Sequence, residues 1–228
     1  MKTTSKLLLL MLVLGTAAML SATTITVGNH DSGNCYPFMC NDSGSNVGQS
    51  IDYQEVYKST AFSGPLTVNE ISYPLDTAPD YVLGGYYQLY WGYSAVGMNL
   101  STNFASNYVS APAYLGYFNG GFSFGSALVL YPNFTYDPSQ GDLILEWIVT
   151  NQENIPNYTT NGYNAADYAG LNVIRAWCVT NVNCAADNTG ALQTVFYGTG
   201  TTPEPGTLIM LGSGIIGLAG VLRRKINL

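Results

Sequence analysis

Basic residues are nearly missing from the middle of this 228-residue chain. Of seven Lys and Arg, five lie at the two ends: Lys2, Lys6, Arg223, Arg224 and Lys225. Only Lys58 and Arg175 remain between, against thirteen acidic residues, so the body carries a net charge near −11. A surface this poor in cations cannot neutralise phosphate, which excludes a nucleic-acid partner. Histidine is equally scarce. His30 is the single one, so any Ser-His-Asp or Cys-His arrangement has to use it. It falls in an Asn/Ser/Gly-rich stretch, and no G-x-S-x-G surrounds a serine, so the ordinary reading is an exposed loop histidine. Helical periodicity is absent outside the ends, and no fixed-period repeat is present.

Long apolar runs occur only at the ends. Lys2 and Lys6 precede an uninterrupted apolar stretch, 7–14, and then small neutral residues up to Ala22. This is the layout of a secretory signal peptide over 1–22, cut after Ala22. At the other end, residues 207–222 hold no charge and precede Arg223-Arg224-Lys225. As a helix they rise about 24 Å, a little short of a hydrocarbon core of about 30 Å. Snorkelling basic side chains close part of the gap. The basic cluster is expected in the cytoplasm by the positive-inside rule, and so is the N-terminal pair. Everything between is therefore expected outside the membrane.

Pro203-Glu204-Pro205 stands just before the second apolar segment. Proline lacks an N–H and holds its neighbours extended, which suits a protease cleft. Pro-Glu-Pro, a glycine-bearing apolar stretch (Gly212, Gly214, Gly217, Gly220) and a terminal Arg-Arg-Lys cluster resemble the PEP-CTERM sorting signal. The resemblance covers about the last tenth of the chain. It implies an exosortase as processing partner, a membrane precursor held transiently by its C-terminal helix, and a mature form at the cell surface or outside the cell.

Between the ends lie all 18 tyrosines and a neutral-polar surface rich in Asn, Ser, Thr and Gly. Disordered chains lack aromatics, so this composition reads as one folded domain. The four cysteines form two close pairs, Cys35/Cys40 and Cys178/Cys184. An exported chain meets an oxidising compartment, so disulfides are expected. Of three possible connectivities, pairing of sequence neighbours is favoured because they collide most often. A four-cysteine zinc site is the alternative, but the spacings are not C-x2-C. No metal site is assigned.

Strand-like runs bounded by turn residues occur at 24–27, 53–62, 66–73, 85–93, 122–131, 143–150, 171–180 and 191–197. In 85–93, Tyr87, Leu89, Trp91 and Tyr93 alternate against Tyr86 and Tyr90. In 143–150 both faces are apolar, which places the strand inside a buried sheet. The expected fold is all-β: a single jelly-roll-like β-sandwich over 23–198, a linker at 199–202, a sorting signal at 203–228, and a helix in each terminal segment. Asp137-Pro138 and Gly141 define a tight turn between two such runs. The stretch from Tyr136 to Leu145, with Tyr53-Gln54-Glu55-Val56-Tyr57, resembles a β domain found before the sorting tail in other proteins of this class. That resemblance implies no known enzymatic activity.

Three kinds of chemistry remain open. A glycosidase needs two carboxylates across a cleft, and Glu55, Glu70, Glu146 and Glu153 are available, Glu146 unusual in sitting mid-strand among apolar neighbours. His30-Asp31, the stretch 41–44 and Asp187-Asn188 offer oxygen ligands for a structural calcium ion, though Asx-turn chemistry accounts for them equally. The tyrosine-rich segments 86–93 and 108–118 could stack on sugars if exposed. The four N-x-S/T sequons, at Asn41, Asn99, Asn133 and Asn157, are given no role. The expected function is a non-catalytic structural or adhesive protein of the cell surface or exopolysaccharide matrix, without a cofactor. A carbohydrate-binding module is the alternative, a hydrolase the third.

Overall fold

The computed structural model describes residues 20–29, 32–38, 49–75, 80–153, 163–166, 172–179, 183–187 and 190–201, with Gly212 and Gly214. The chain divides into two compact units, one of residues 22–200 and one combining 1–21 with 201–228. In the larger unit the strands are β1 (Leu20–Val27), β2 (Ser32–Asn34), β3 (Gln49–Tyr57), β4 (Leu66–Pro74), β5 (Asp80–Val82), β6 (Tyr86–Tyr93), β7 (Ala113–Asn119) and β8 (Phe122–Phe124). They continue with β9 (Ala127–Leu130), β10 (Phe134–Tyr136), β11 (Leu143–Gln152), β12 (Tyr163–Ala166), β13 (Val173–Val179), β14 (Asn183–Asp187), β15 (Ala191–Leu192) and β16 (Thr194–Thr201).

Two large sheets form a sandwich. The first has the order β1-β16-β4-β10, with β9 also on β4. The second has the order β14-β13-β3-β11-β6-β7. Alternation decides what lies between them. On β3, Ile51, Tyr53, Glu55 and Tyr57 point inward; on β11, Leu143, Leu145, Trp147 and Val149 do the same. They meet Val68, Ile71, Tyr73 and Phe196 of the first sheet in one apolar cluster. Phe38 sits among Tyr73, Tyr87, Phe118 and Trp147, with ring centroids 5.1 to 6.5 Å away. Trp147 Nε1 donates to the Tyr73 hydroxyl at 3.2 Å, giving the buried indole its polar partner. Truncating such a ring to alanine costs about 3–5 kcal/mol.

The two-sided apolar strand is central, as its pattern requires: β11 lies between β3 and β6. Its outer face is covered by the connection between β6 and β7. Leu100, Phe104 and Tyr108 from that connection pack on Val56, Ile144, Ala176 and Cys178. The turn at Asp137 also forms. The Asp137 carboxylate accepts from the Ser139 N–H at 3.0 Å and the Ser139 hydroxyl at 2.7 Å, and these bonds hold its pKa below the usual range. Gly141 closes the turn at φ 133°, a backbone that favours glycine.

Several boundaries differ from the sequence reading. The run 53–62 is strand only to Tyr57, then a 3-10 turn at Ser59–Ala61. The run 122–131 splits into β8 and β9 around Gly125-Ser126. Strand β7 went unrecognised because Gly116 interrupts its alternation at a bulge opposite Leu89 and Tyr90. Residues 199–201, expected as linker, are the end of β16, because Gly200 keeps pairing with Leu66. Strand β1 starts at Leu20, inside the expected signal peptide. Among the described residues no helix is long and apolar enough to cross a membrane. The expected membrane segment, 207–222, lies outside them except for Gly212 and Gly214, both helical.

The ends of the larger unit are neighbours. A Cβ on Gly200 would lie 3.7 Å from the Thr23 Cβ, and one on Gly28 would lie 3.2 Å from the Gln193 Cα. The strands β1 and β16 are thus antiparallel, and the start of one adjoins the finish of the other.

Candidate functional site

The disulfide expectation is met where it can be seen. Cys178 and Cys184 stand directly opposite each other on β13 and β14 and are bonded. Cys35 is also in a disulfide, while Cys40 lies outside the described residues. Pro203, Glu204, Pro205, Arg223, Arg224 and Lys225 lie outside them too, as do His30, Asp31, residues 41–44 and Asn188. Asp187 is ion-paired with Arg175 at 4.0 Å. Among the described residues no three of His, Cys, Asp and Glu gather as a metal site would require.

The candidate acids occupy separate places. Glu55 is 1% exposed and points between the sheets. Its Oε1 accepts from the Tyr53 hydroxyl at 2.8 Å and from the Leu192 N–H, and its Oε2 accepts from the Tyr57 hydroxyl at 2.6 Å. Tyr57 is linked onward to the Thr194 hydroxyl at 2.9 Å, and Asn34 Nδ2 donates to the Tyr53 hydroxyl at 3.3 Å. Burial raises the Glu55 pKa from 4.5 to about 7, against the opposing pull of these donors and of the Arg175 charge. Burial, then the Glu55 charge, pushes the Tyr53 and Tyr57 phenols well up. The spacing Tyr53-x-Glu55-x-Tyr57 carries the signal for this cluster: period two puts all three on one strand face.

Glu146 belongs to the other face of the same sheet. It pairs in register with Gln54, while Leu145 pairs with Glu55. Glu146 is 5% exposed, accepting from Gln54 Nε2 at 3.0 Å and the Tyr108 hydroxyl at 2.9 Å. Asn107 Nδ2 donates to Gln54 Oε1 at 2.7 Å and so ties the covering connection to the network. Asp52 shares this face. Burial first, then the Glu146 charge and a hydrogen bond with Glu146, push its carboxyl up to about 8. Glu55 and Glu146 cannot flank one cleft, because the sheet itself separates them. Glu70 and Glu153 lie on β4 and just beyond β11.

The accessible concentration of unusual side chains is aromatic. Tyr86 and Tyr90 project outward from β6, and Tyr114 and Tyr117 from β7, the edge strand. Tyr117 packs on Tyr86 at 4.8 Å between ring centroids, and Tyr114 on Tyr90 at 5.2 Å. Tyr114 is 50% and Tyr117 60% exposed. Gln88, between Tyr86 and Tyr90, donates to the Tyr90 hydroxyl at 3.3 Å. Desolvation by its surroundings, then a hydrogen bond with Tyr114, raises the Tyr86 pKa. The two faces of β6 behave as its alternation requires: Tyr87 and Leu89 are core, Tyr86 and Tyr90 surface. At the same sheet edge, the bulge opens a cleft of about 170 Å³ toward Leu130 and Tyr131, floored by Leu89 and Trp147.

The fold and these sites define an all-β sandwich with buried acids, a disulfide hairpin and a tyrosine-paved outer face. A family model for the PEP-CTERM protein-sorting motif matches residues 201–225, the span that holds Pro-Glu-Pro and the basic cluster. The chain carries this motif, which marks a secreted protein sorted by an exosortase from an exported, membrane-anchored precursor. No curated protein and no solved structure matches the chain.

Proposed function

We propose that the larger unit is a non-catalytic body displayed at the cell surface or in the extracellular matrix, with a structural or adhesive role. The observation that carries this reading is the division of its chemistry. Of the carboxyls with raised pKa, Glu55 is sealed in a hydrogen-bonded cluster between the sheets and Asp52 is partly buried beside Glu146. The exposed cluster described above is uncharged tyrosine, suited to contact and not to proton transfer.

Processing fits the position of the termini. Thr23 and Gly200 are neighbours, so the expected signal-peptidase and exosortase cuts both fall at one end of the body. Strand β16 is held between β1 and β4 through Thr201. A protease cleft needs an unpaired extended segment, and the missing N–H of proline suits Pro203-Glu204-Pro205, next in sequence, to that role. Intact-mass measurement of the surface form checks this. The expected chain begins at Thr23 and ends between 202 and 206. A mass that retains 206–228 overturns the reading.

A carbohydrate-binding role is the second reading. The exposed, paired tyrosines of β6 and β7 favour it over hydrolysis.

A further inference from the structure

We propose that the outer face of β6 and β7 is a binding platform for an extended, uncharged polysaccharide. The proposal deepens the surface-display reading by naming the ligand of this face. The ligand must be long. Tyr86 and Tyr90 are four residues apart on one strand, about 13 Å at the rise of a β-strand. Tyr86 is joined by Tyr117 and Tyr90 by Tyr114, and Tyr114 also hydrogen-bonds Tyr86, so the four rings form one continuous strip. A single ring-sized molecule would cover part of the strip; a chain of pyranose rings runs along it.

The chemistry of the face selects sugar. A pyranose has an apolar C–H face and a rim of hydroxyls. Half-exposed tyrosines offer an apolar ring for the first and a hydroxyl for the second, and the Gln88 amide lies between Tyr86 and Tyr90.

Charge makes the polymer neutral. The body is near −11, with only Lys58 and Arg175 as cations, and Arg175 is paired with Asp187. A polyanion would be repelled over the whole surface, and so would a second copy of this chain. Strand addition at the β7 edge is interrupted by the bulge at Leu115-Gly116, where φ of Gly116 is 143°.

Affinity electrophoresis tests the assignment. The full-length chain, in a polyoxyethylene detergent that carries no sugar, is run in gels containing hydroxyethylcellulose, xyloglucan, glucomannan, dextran or alginate. Retardation is expected in at least one of the four neutral polymers and not in alginate. Tyr117→Ala and Tyr114→Ala are each expected to weaken it about tenfold, as for the loss of one stacked ring. Tyr197→Ala, at an exposed tyrosine on β16 of the other sheet, should leave it unchanged. Thermal melts of the variants should match the parent, because both β7 rings are at least half exposed. No retardation in any neutral polymer overturns the proposal. So does stronger binding to alginate, equal loss with Tyr197→Ala, or dimerisation in sedimentation that the β7 variants abolish. Surface display without binding would sink this site alone; binding without surface display would sink the sorting reading alone.

Discussion

Glu55 offers the sharpest test of how the sandwich is held together. Its carboxyl is sealed between the sheets and its pKa is raised from 4.5 to about 7. Below pH 4.5 it is protonated whether the chain is folded or not. Between 4.5 and 7 the unfolded chain releases a proton that the fold retains. The native state then binds more protons than the unfolded one, so stability falls as pH rises through this window and levels off above it. The interval of 2.5 between the two values corresponds to about 3 kcal/mol.

Glu55→Gln removes the titration while keeping most of the bonds. The amide oxygen, in the place of Oε1, still accepts from Tyr53 and the Leu192 N–H. The amide nitrogen can donate to the Tyr57 hydroxyl, which turns to donate to Thr194. Urea unfolding of both proteins from pH 4 to pH 8 is the assay. Near pH 4.5 the two should agree within about 1 kcal/mol, and at pH 8 the variant should be the more stable by about 3 kcal/mol. Glu55→Ala leaves two phenols and an N–H without their acceptor and should lose about 4 kcal/mol near pH 4.5, a deficit that shrinks to about 1 kcal/mol at pH 8, where the parent carries the cost of its ionised carboxylate. A parent protein that gains stability relative to Glu55→Gln as pH rises from 4.5 to 7 would refute the reasoning. So would a difference that does not change with pH.

Two further substitutions probe the frame. Thr23→Cys with Gly200→Cys should bridge spontaneously on export, since a Cβ on Gly200 lies 3.7 Å from that of Thr23, within the range of a disulfide. By loop-closure entropy the bond adds about 5 kcal/mol, read as a raised urea midpoint under non-reducing conditions; two free thiols in the folded protein would refute the β1–β16 pairing. Gly198→Ala should destabilise by about 3 kcal/mol, because its Cβ would stand 2.1 Å from the Thr67 carbonyl oxygen beside the bulge in β4; an unchanged melting midpoint would refute that packing.

Local chemistry was legible wherever neighbours in sequence decide it. Proline, hydropathy and charge at the C-terminal end mark the sorting motif, because such a signal is read along a continuous stretch of chain. Period-two alternation gave β3, β4, β6 and β11 and placed β11 inside the sheet, because successive side chains of a strand must point to opposite faces. The Asp137 turn and the Cys178–Cys184 hairpin are likewise contacts between near neighbours. What stayed hidden depends on residues far apart. Glu55 and Glu146 both stand within strand-like runs, yet the sheet puts one in the core and the other under the β6–β7 connection. Their burial comes from Leu192, Thr194 and Tyr108, dozens of residues away. The tyrosine face required the pairing of β6 with β7, and a bulge at Gly116 disguised that strand. Sequence alone determined the sorting motif, since that is read along the polymer; which acids are sealed and which aromatics are exposed was settled only when the sheets closed, since burial is a property of partners brought together across the fold.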